Sequence, residues 1–250
     1  MDYYSSKTCW ITGGGSGIGK ALAENLAARG ADVTISGRDR EKLAKLSSSA
    51  DNISAVELDV TDLDSWIKAV ENFSARKKYV DLVIFSAGTC EYVDLPDYDP
   101  ALFRRVMEVN FMGVVNGIQA VLPLIRNSSC GHIAAVTSSV AALPLPRAEA
   151  YGASKAAASY MLNSLRLGLR KEDIDISVVM PGFVESPMTD KNDFPMPFMI
   201  SADKAAKIIL KGLQKHKHEI FFPGRFTWPL RLLGSLPSAF QQIFTRRFTK

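Results

Sequence analysis

The sequence predicts an α/β fold built on a doubly wound parallel sheet, and three observations carry that expectation. Short apolar runs alternate with longer stretches of helical periodicity from one end of the chain to the other, the pattern of strand-helix-strand crossovers. Several runs are almost continuously apolar, as strands covered on both faces must be. A glycine-rich loop, Thr12-Gly-Gly-Gly-Ser-Gly-Ile-Gly-Lys20, directly follows the first run and opens the first helical pattern.

Taken in order, strands are expected over 8–12, 32–36, 53–58, 80–85, 132–137, 174–180 and 219–222. Helical patterns fall near 18–28, 40–48, 62–76, 102–125, 150–170 and 202–214. Asp39 stands where a cap would start the second helix at Arg40, and Thr61 followed by Asp64 has the character of a cap for the third. About seven strands in right-handed crossovers leave helices on both faces and place ligands beyond the carboxyl ends of the strands. No repeat, low-complexity tract or linker divides the chain, so residues 1–222 read as one domain and 223–250 as an extension.

At 250 residues and 47% hydrophobic content the chain can fill a sizeable core. Its longest uncharged run, 109–125, is broken by Asn110, Asn116 and Gln119 and is short for a membrane span, so a buried helix is expected. Residues 1–7 show neither the basic start nor the apolar run of a secretory signal, and a cytoplasmic protein is expected. Cys9, Cys90 and Cys130 are odd in number and far apart, which favours reduced, buried thiols. His132, His216 and His218 offer no zinc spacing, and no metal site is expected.

The glycine loop sits where a nucleotide phosphate would bind, because glycine permits close backbone approach and a helix start attracts anions. Gly14 to Lys20 matches the first seven positions of a P-loop, yet Ala21 stands where the magnesium-binding Ser or Thr belongs. What remains is Thr12-Gly13-x-x-x-Gly17-x-Gly19. Further along, Tyr151 and Lys155 stand four residues apart on a helical pattern, with Ser138 upstream in Val136-Thr-Ser-Ser-Val140. Positions i and i+4 share a helix face, so the ammonium can sit beside the phenol. A free phenol titrates near ~10; a cation that brought it towards ~7 would supply roughly 4 kcal/mol and make it a working acid and base.

The glycine spacing together with Ser138, Tyr151 and Lys155 resembles the short-chain dehydrogenase/reductase family over about residues 7–212. The resemblance implies a single Rossmann-like domain that transfers a hydride between a nicotinamide cofactor and a carbonyl or alcohol. It implies cofactor contacts at Gly13, Gly15, Ser16, Gly17, Ile18 and Gly19 in the loop, Asp59 and Val60 after the third strand, and Ser86, Ala87 and Gly88 after the fourth. Pro181, Gly182, Val184 and Ser186 after the sixth strand complete that set, with Tyr151 and Lys155. The catalytic set it implies is Asn110, Ser138, Tyr151 and Lys155: Tyr151 as proton donor, Ser138 bound to the substrate oxygen, Lys155 lowering the tyrosine pKa and binding ribose, Asn110 holding a relay water. Ser139 is the alternative to Ser138. The chain departs from the family at Ser86, where Asn-Ala-Gly is usual, which bears on binding geometry more than on chemistry.

An acidic residue about twenty positions after the glycines would hold the ribose 2′-hydroxyl. Gly37 and Arg38 stand there instead, and a guanidinium can take a 2′-phosphate, so NADP(H) is expected over NAD(H). An NAD(H)-dependent relative or a non-catalytic dinucleotide sensor is the alternative. The segment 186–200, rich in Phe, Pro and Met, corresponds to the family's mobile lid and hints at a hydrophobic substrate, unless Phe198 to Ile200 merely anchor it. Residues 203–250 hold ten Lys or Arg against two acidic residues, and that +8 in a chain of +4 leaves −4 for the rest. Basic residues there mix with Phe226, Trp228, Leu232, Phe240, Ile243 and Phe248. Such a tail suits an anionic membrane surface, an apolar substrate mouth, or a packed extension or subunit contact. Gly152, Ala153, Ala156 and Ala157 give the Tyr151 helix a small-sided face, and a homo-oligomer, dimer or tetramer, is expected. No motif for reading nucleic acid accompanies the charge, so nucleic acid is not an expected partner.

Overall fold

A computed structural model of the chain describes residues 2–245. Seven strands, β1 (Thr8–Thr12), β2 (Asp32–Gly37), β3 (Ile53–Glu57), β4 (Leu82–Phe85), β5 (His132–Val136), β6 (Asp175–Pro181) and β7 (Glu219–Phe222), pair in parallel in the order β3-β2-β1-β4-β5-β6-β7. Their ends differ from the sequence expectation by no more than two residues. The winding direction reverses between β1 and β4, so the loops leaving those strands diverge and open a crevice at the carboxyl edge.

The helices are α1 (Gly17–Ala27), α2 (Arg40–Ser47), α3 (Leu63–Ser74), α4 (Pro100–Met107), α5 (Gly113–Arg126), α6 (Glu149–Leu169), α7 (Ala202–Gln214), α8 (Gly224–Gly234) and α9 (Ser238–Thr245). On one face α1 and α7 bury Leu22, Leu26, Ile209, Leu210 and Leu213 against Ile11, Ile35 and Ile220. On the other, α3, α5 and α6 cover an aromatic core in which Trp10 stacks on Phe73 with centroids 4.7 Å apart and Trp66 meets Phe85 edge to face. Each of these rings removes a large apolar area from water, which is what fastens the helical layer to the sheet. The stretch Pro100–Arg126 is long and apolar enough to cross a membrane by length and composition, but Val114, Ile118, Val121, Leu124 and Ile125 are core residues.

Three expectations change. The helix expected over 102–125 is split: α4 passes through a π-helical turn, Glu108–Met112, before α5 begins. The turn rotates Asn110 inward, and the missing Cβ of Gly113 lets Val60 approach, since a Cβ there would lie 2.8 Å from Val60 Cγ2. The cap of α3 is Asp62, which accepts from the Asp64 N–H at 2.9 Å, while Thr61 turns back to Asp59. Of the thiols, Cys9 is buried, Cys90 partly so, and Cys130 exposed, because Cys130 lies in the turn before β5 rather than in the strand.

The extension is largely a packed one. Gly234 of α8 sits so close to the Ala142 carbonyl that no side chain fits, and Arg231 pairs with Glu219 at 2.8 Å and covers the Phe221 ring. Trp228 and Leu232 nevertheless stay 65% and 68% exposed, with Phe240 and Ile243 exposed beyond them. Phe248, Arg246, Arg247 and Lys250 lie outside the described residues.

Candidate active site

The loop leaving β1 is shaped by what its glycines leave out. Gly13 (φ 68°) and Gly17 (φ 50°) are left-handed, a conformation that disfavours other residues. A Cβ on Gly13 would lie 2.8 Å from the Ala87 backbone, and one on Gly19 would overlap the Gly13 carbonyl. The loop is therefore folded tightly across the start of α1 and against the exit of β4. Thr12 Oγ1 accepts from the N–H groups of Ser86 (3.1 Å) and Ala87 (3.2 Å), tying the two strand ends together. The tie uses the Ser86 backbone, so serine in place of the family's asparagine leaves it whole. Ser16 begins α1 from an extended backbone without spending its hydroxyl on a cap, and Ile18 packs into the core below. A helix start preceded by such a cradle fits a phosphate.

Beyond β2, Arg38 is three-quarters exposed and stands 4.0 Å from Asp59, whose other oxygen accepts from the Thr61 N–H and hydroxyl at 3.0 and 2.8 Å. Asp39 caps α2 through the Lys42 N–H at 3.1 Å and pairs with the Lys42 ammonium at 2.8 Å. Its carboxylate is thus occupied on the helix. Lys42, which sequence reading passed over, packs beside Gly15, 3.4 Å from where a Cβ would stand.

At the exits of β4 and β5, α6 delivers Tyr151 and Lys155 to one place. Lys155 is buried and donates to the Val136 carbonyl at 2.9 Å. Its Nζ lies 5.8 Å from the Tyr151 ring centroid, and both it and Asn110 Oδ1 look onto Gly88, where a Cβ would stand 3.2 and 3.1 Å from them. Asn110 accepts from the Thr89 N–H at 2.8 Å and donates to the Thr89 carbonyl and to Ser154 Oγ at 2.9 and 3.0 Å; Ser154 in turn donates to the Tyr151 carbonyl at 2.8 Å. Asn110 therefore braces the helix turn that carries the tyrosine. Ser154 was missed in the sequence, although it stands three residues after Tyr151 and so turns to the same side. Ser138 starts a 3-10 turn, accepting from the Val140 N–H at 3.2 Å, and its hydroxyl lowers the Tyr151 pKa by hydrogen bonding; Ser139 is buried away from solvent.

One electrostatic expectation is overturned. The Tyr151 pKa is raised, not lowered: burial of the phenol dominates, the nearby Cys90 adds to it, and Ser138 only partly offsets them. Burial also lowers Lys155 to about 8, opposed by Cys90, so its charge is itself weakened. With its ammonium turned to a carbonyl, Lys155 leaves Tyr151 a protonated phenol at neutral pH.

Over this crevice, Pro181 ends β6 and Gly182 follows it, with no room for a Cβ beside Phe226 of α8, 2.7 Å away. Val184 pairs with Ile200 across the base of the lid, and the Glu185 N–H donates to the Ile200 carbonyl at 3.0 Å. Ile200 is thus an anchor, whereas Phe198 and Met199 are exposed. Ser186 reaches the glycine loop, its Cβ 3.1 Å from where one on Gly17 would stand, and is held by Thr189 Oγ1, a residue not singled out from sequence. Phe194 packs edge to face on Tyr92 at 5.7 Å and near Phe183, so the 186–200 segment rests on aromatic rings next to the catalytic candidates. Gly152, Ala153 and Ala156 face the other way and line a cavity of about 450 Å³ with Pro144, Leu145 and Thr245 of α9.

The short chain dehydrogenase family model matches residues 7–195. An uncharacterized oxidoreductase of Myxococcus xanthus is 32% identical over 99% of both chains. A short chain dehydrogenase of Burkholderia cenocepacia in complex with NADP superposes with a TM-score of 0.84 at 26% identity, covering 99% of each chain. A 3-ketoacyl-(acyl-carrier-protein) reductase of Brucella melitensis complexed with NADH shares the fold at 24% identity and a TM-score of 0.81, covering 88% of this chain and 97% of that one. With the glycine cradle, the Tyr151 and Lys155 pair and the sheet order already in place, these likenesses assign the chain to the short-chain dehydrogenase/reductase family of oxidoreductases.

Proposed function

We propose that the protein is an NADP(H)-dependent reductase that converts a hydrophobic carbonyl compound to its secondary alcohol, with Tyr151 as general acid. The observation that carries this reading is the Tyr151 phenol, hydrogen-bonded by Ser138 and braced through Ser154 and Asn110, beside the glycine cradle. The nicotinamide supplies the hydride when bound. A phenol whose pKa is raised keeps its proton at neutral pH, so Tyr151 Oη gives that proton to the carbonyl oxygen as negative charge develops there. Ser138 donates a second hydrogen bond to the same oxygen. Lys155, an ammonium below about pH 8, would hold a ribose hydroxyl of the cofactor.

Arg38, exposed at the end of β2 with only a distant partner, supports the 2′-phosphate preference, as does the engagement of Asp39 by Lys42. The Tyr92, Phe183 and Phe194 rings under the lid support an apolar substrate. Exposed Tyr160 and Leu167 on α6 offer a subunit contact. The test is turnover of a panel of ketones and aldehydes with NADPH and NADH. Wild-type activity on apolar carbonyls with NADPH, lost in Tyr151→Phe while NADPH still binds, is the expected result; retained turnover in that variant overturns the assignment of Tyr151.

A further inference from the structure

The amino edge of the sheet, opposite the crevice, carries a second group of chemistry-bearing residues. His132 opens β5, Asp175 opens β6, and His216 follows α7 just ahead of β7. One donor atom from each lies within 4.8 Å of the other two. We propose that His132, Asp175 and His216 form a binding site for one Zn²⁺ ion, with water in the fourth position.

The hydrogen bonds around the two imidazoles fit that role. Ser177 donates its hydroxyl to the Lys217 carbonyl at 2.6 Å, so towards His132 Nε2, at 2.8 Å, it can only accept. The His132 hydrogen is therefore on Nε2, and its lone pair is on Nδ1. His216 Nδ1 stands 2.5 Å from Asp175 Oδ2, while its Nε2 is 3.4 Å from the Tyr3 hydroxyl. Moving the imidazole hydrogen to Nε2, where the Tyr3 oxygen accepts it, lets the ion take the place of the hydrogen shared with Asp175. Each imidazole then has its outer nitrogen held by an oxygen, the arrangement that orients metal-binding histidines. Two imidazole nitrogens and a carboxylate with an open fourth position suit zinc. Lys7, the cation facing this edge, is engaged by Cys130 Sγ at 3.1 Å and by the Tyr3 ring.

The backbone at His216 points the same way. Lys217 N–H donates to the Gly212 carbonyl at 3.1 Å and His216 N–H to that of Leu213 at 2.9 Å, closing α7 with a turn whose left-handed position, φ 50°, is usually glycine. A histidine occupies it here, and its ring lies nearly parallel to that of His132 with centroids 5.8 Å apart. Tetrahedral zinc needs its donors roughly 3.5 Å apart, and the exposed His216 side chain has the freedom to adjust to that spacing.

Tag-free protein titrated with Co²⁺, then with Zn²⁺ in competition, tests the site. The expected result is one Co²⁺ per chain with the intense visible bands of four-coordinate cobalt, displaced by Zn²⁺. Asp175→Asn should weaken binding at least about 10-fold, and Ser177→Ala about 10- to 100-fold. His216→Gly is the decisive variant: it suits the backbone, so the fold persists, yet it removes a ligand and should abolish the bands. Absence of the bands in the wild type, or a His216→Gly protein that binds Co²⁺ as tightly, would overturn the proposal.

Discussion

The two edges of the sheet are built from the same strands and differ in how their residues are distributed. β5 runs from His132 to the loop bearing Ser138, and β6 from Asp175 to Pro181, so each strand contributes to both edges. At the carboxyl edge, candidate functional residues arrive in compact groups: Gly13 to Gly19 in one loop, Tyr151, Ser154 and Lys155 within about one helical turn. At the amino edge, His132, Asp175 and His216 come singly from three separate segments, brought together only by the register of β5, β6 and β7. Compact groups leave a spacing that can be read from sequence. Dispersed ones leave none.

If the carboxyl edge is the catalytic one, damage there should cost turnover and leave the amino edge intact. After the loss of turnover expected of Tyr151→Phe, the largest effect is expected from Ser138→Ala, which removes the partner of the reacting oxygen and should lower kcat by about 10²- to 10³-fold with little change in thermal stability. Gly19→Ala forces the Gly13 carbonyl out of place and should weaken NADPH binding by at least about 10-fold in a fluorescence titration, as an undistorted cradle is what holds the phosphate. Raising the pH discriminates further. Burial depresses the Lys155 pKa, so its ammonium is present below about pH 8 and is lost above it; kcat/KM for reduction should fall about tenfold per pH unit beyond that point. A flat profile to pH 10 would refute a role for the ammonium. Arg38→Ala should cost about 10-fold in NADPH affinity and leave NADH unchanged. The smallest change is Asp39→Ala, which removes a cap for about 1 kcal/mol of stability and should not alter cofactor choice; a shift towards NADPH would mean that Asp39 opposes the phosphate.

Much of the fold was legible because parallel strands buried on both faces read as apolar runs, and because β1, the glycine loop and α1 are contiguous. Asp39 was legible as a cap from its place between strand and helix. The π turn at Glu108–Met112 was not, since Asn110 and Gly113 reveal their role only against Thr89 and Val60. Nor was the raised Tyr151 pKa: the i,i+4 spacing shows that Lys155 shares a helix face, but not that its ammonium is spent on Val136 while the phenol is buried. The apolar tail showed its amphipathic character without showing that α8 docks on Ala142.

The separation of the two edges is tested most directly by measuring NADPH turnover and Co²⁺ binding on the same samples of wild type, Tyr151→Phe and His216→Gly. Loss of turnover with intact Co²⁺ binding in Tyr151→Phe, and loss of Co²⁺ binding with turnover within about twofold in His216→Gly, is the predicted outcome. Tyr151→Phe protein that still reduces carbonyls at the wild-type rate would contradict the assignment of the catalytic edge.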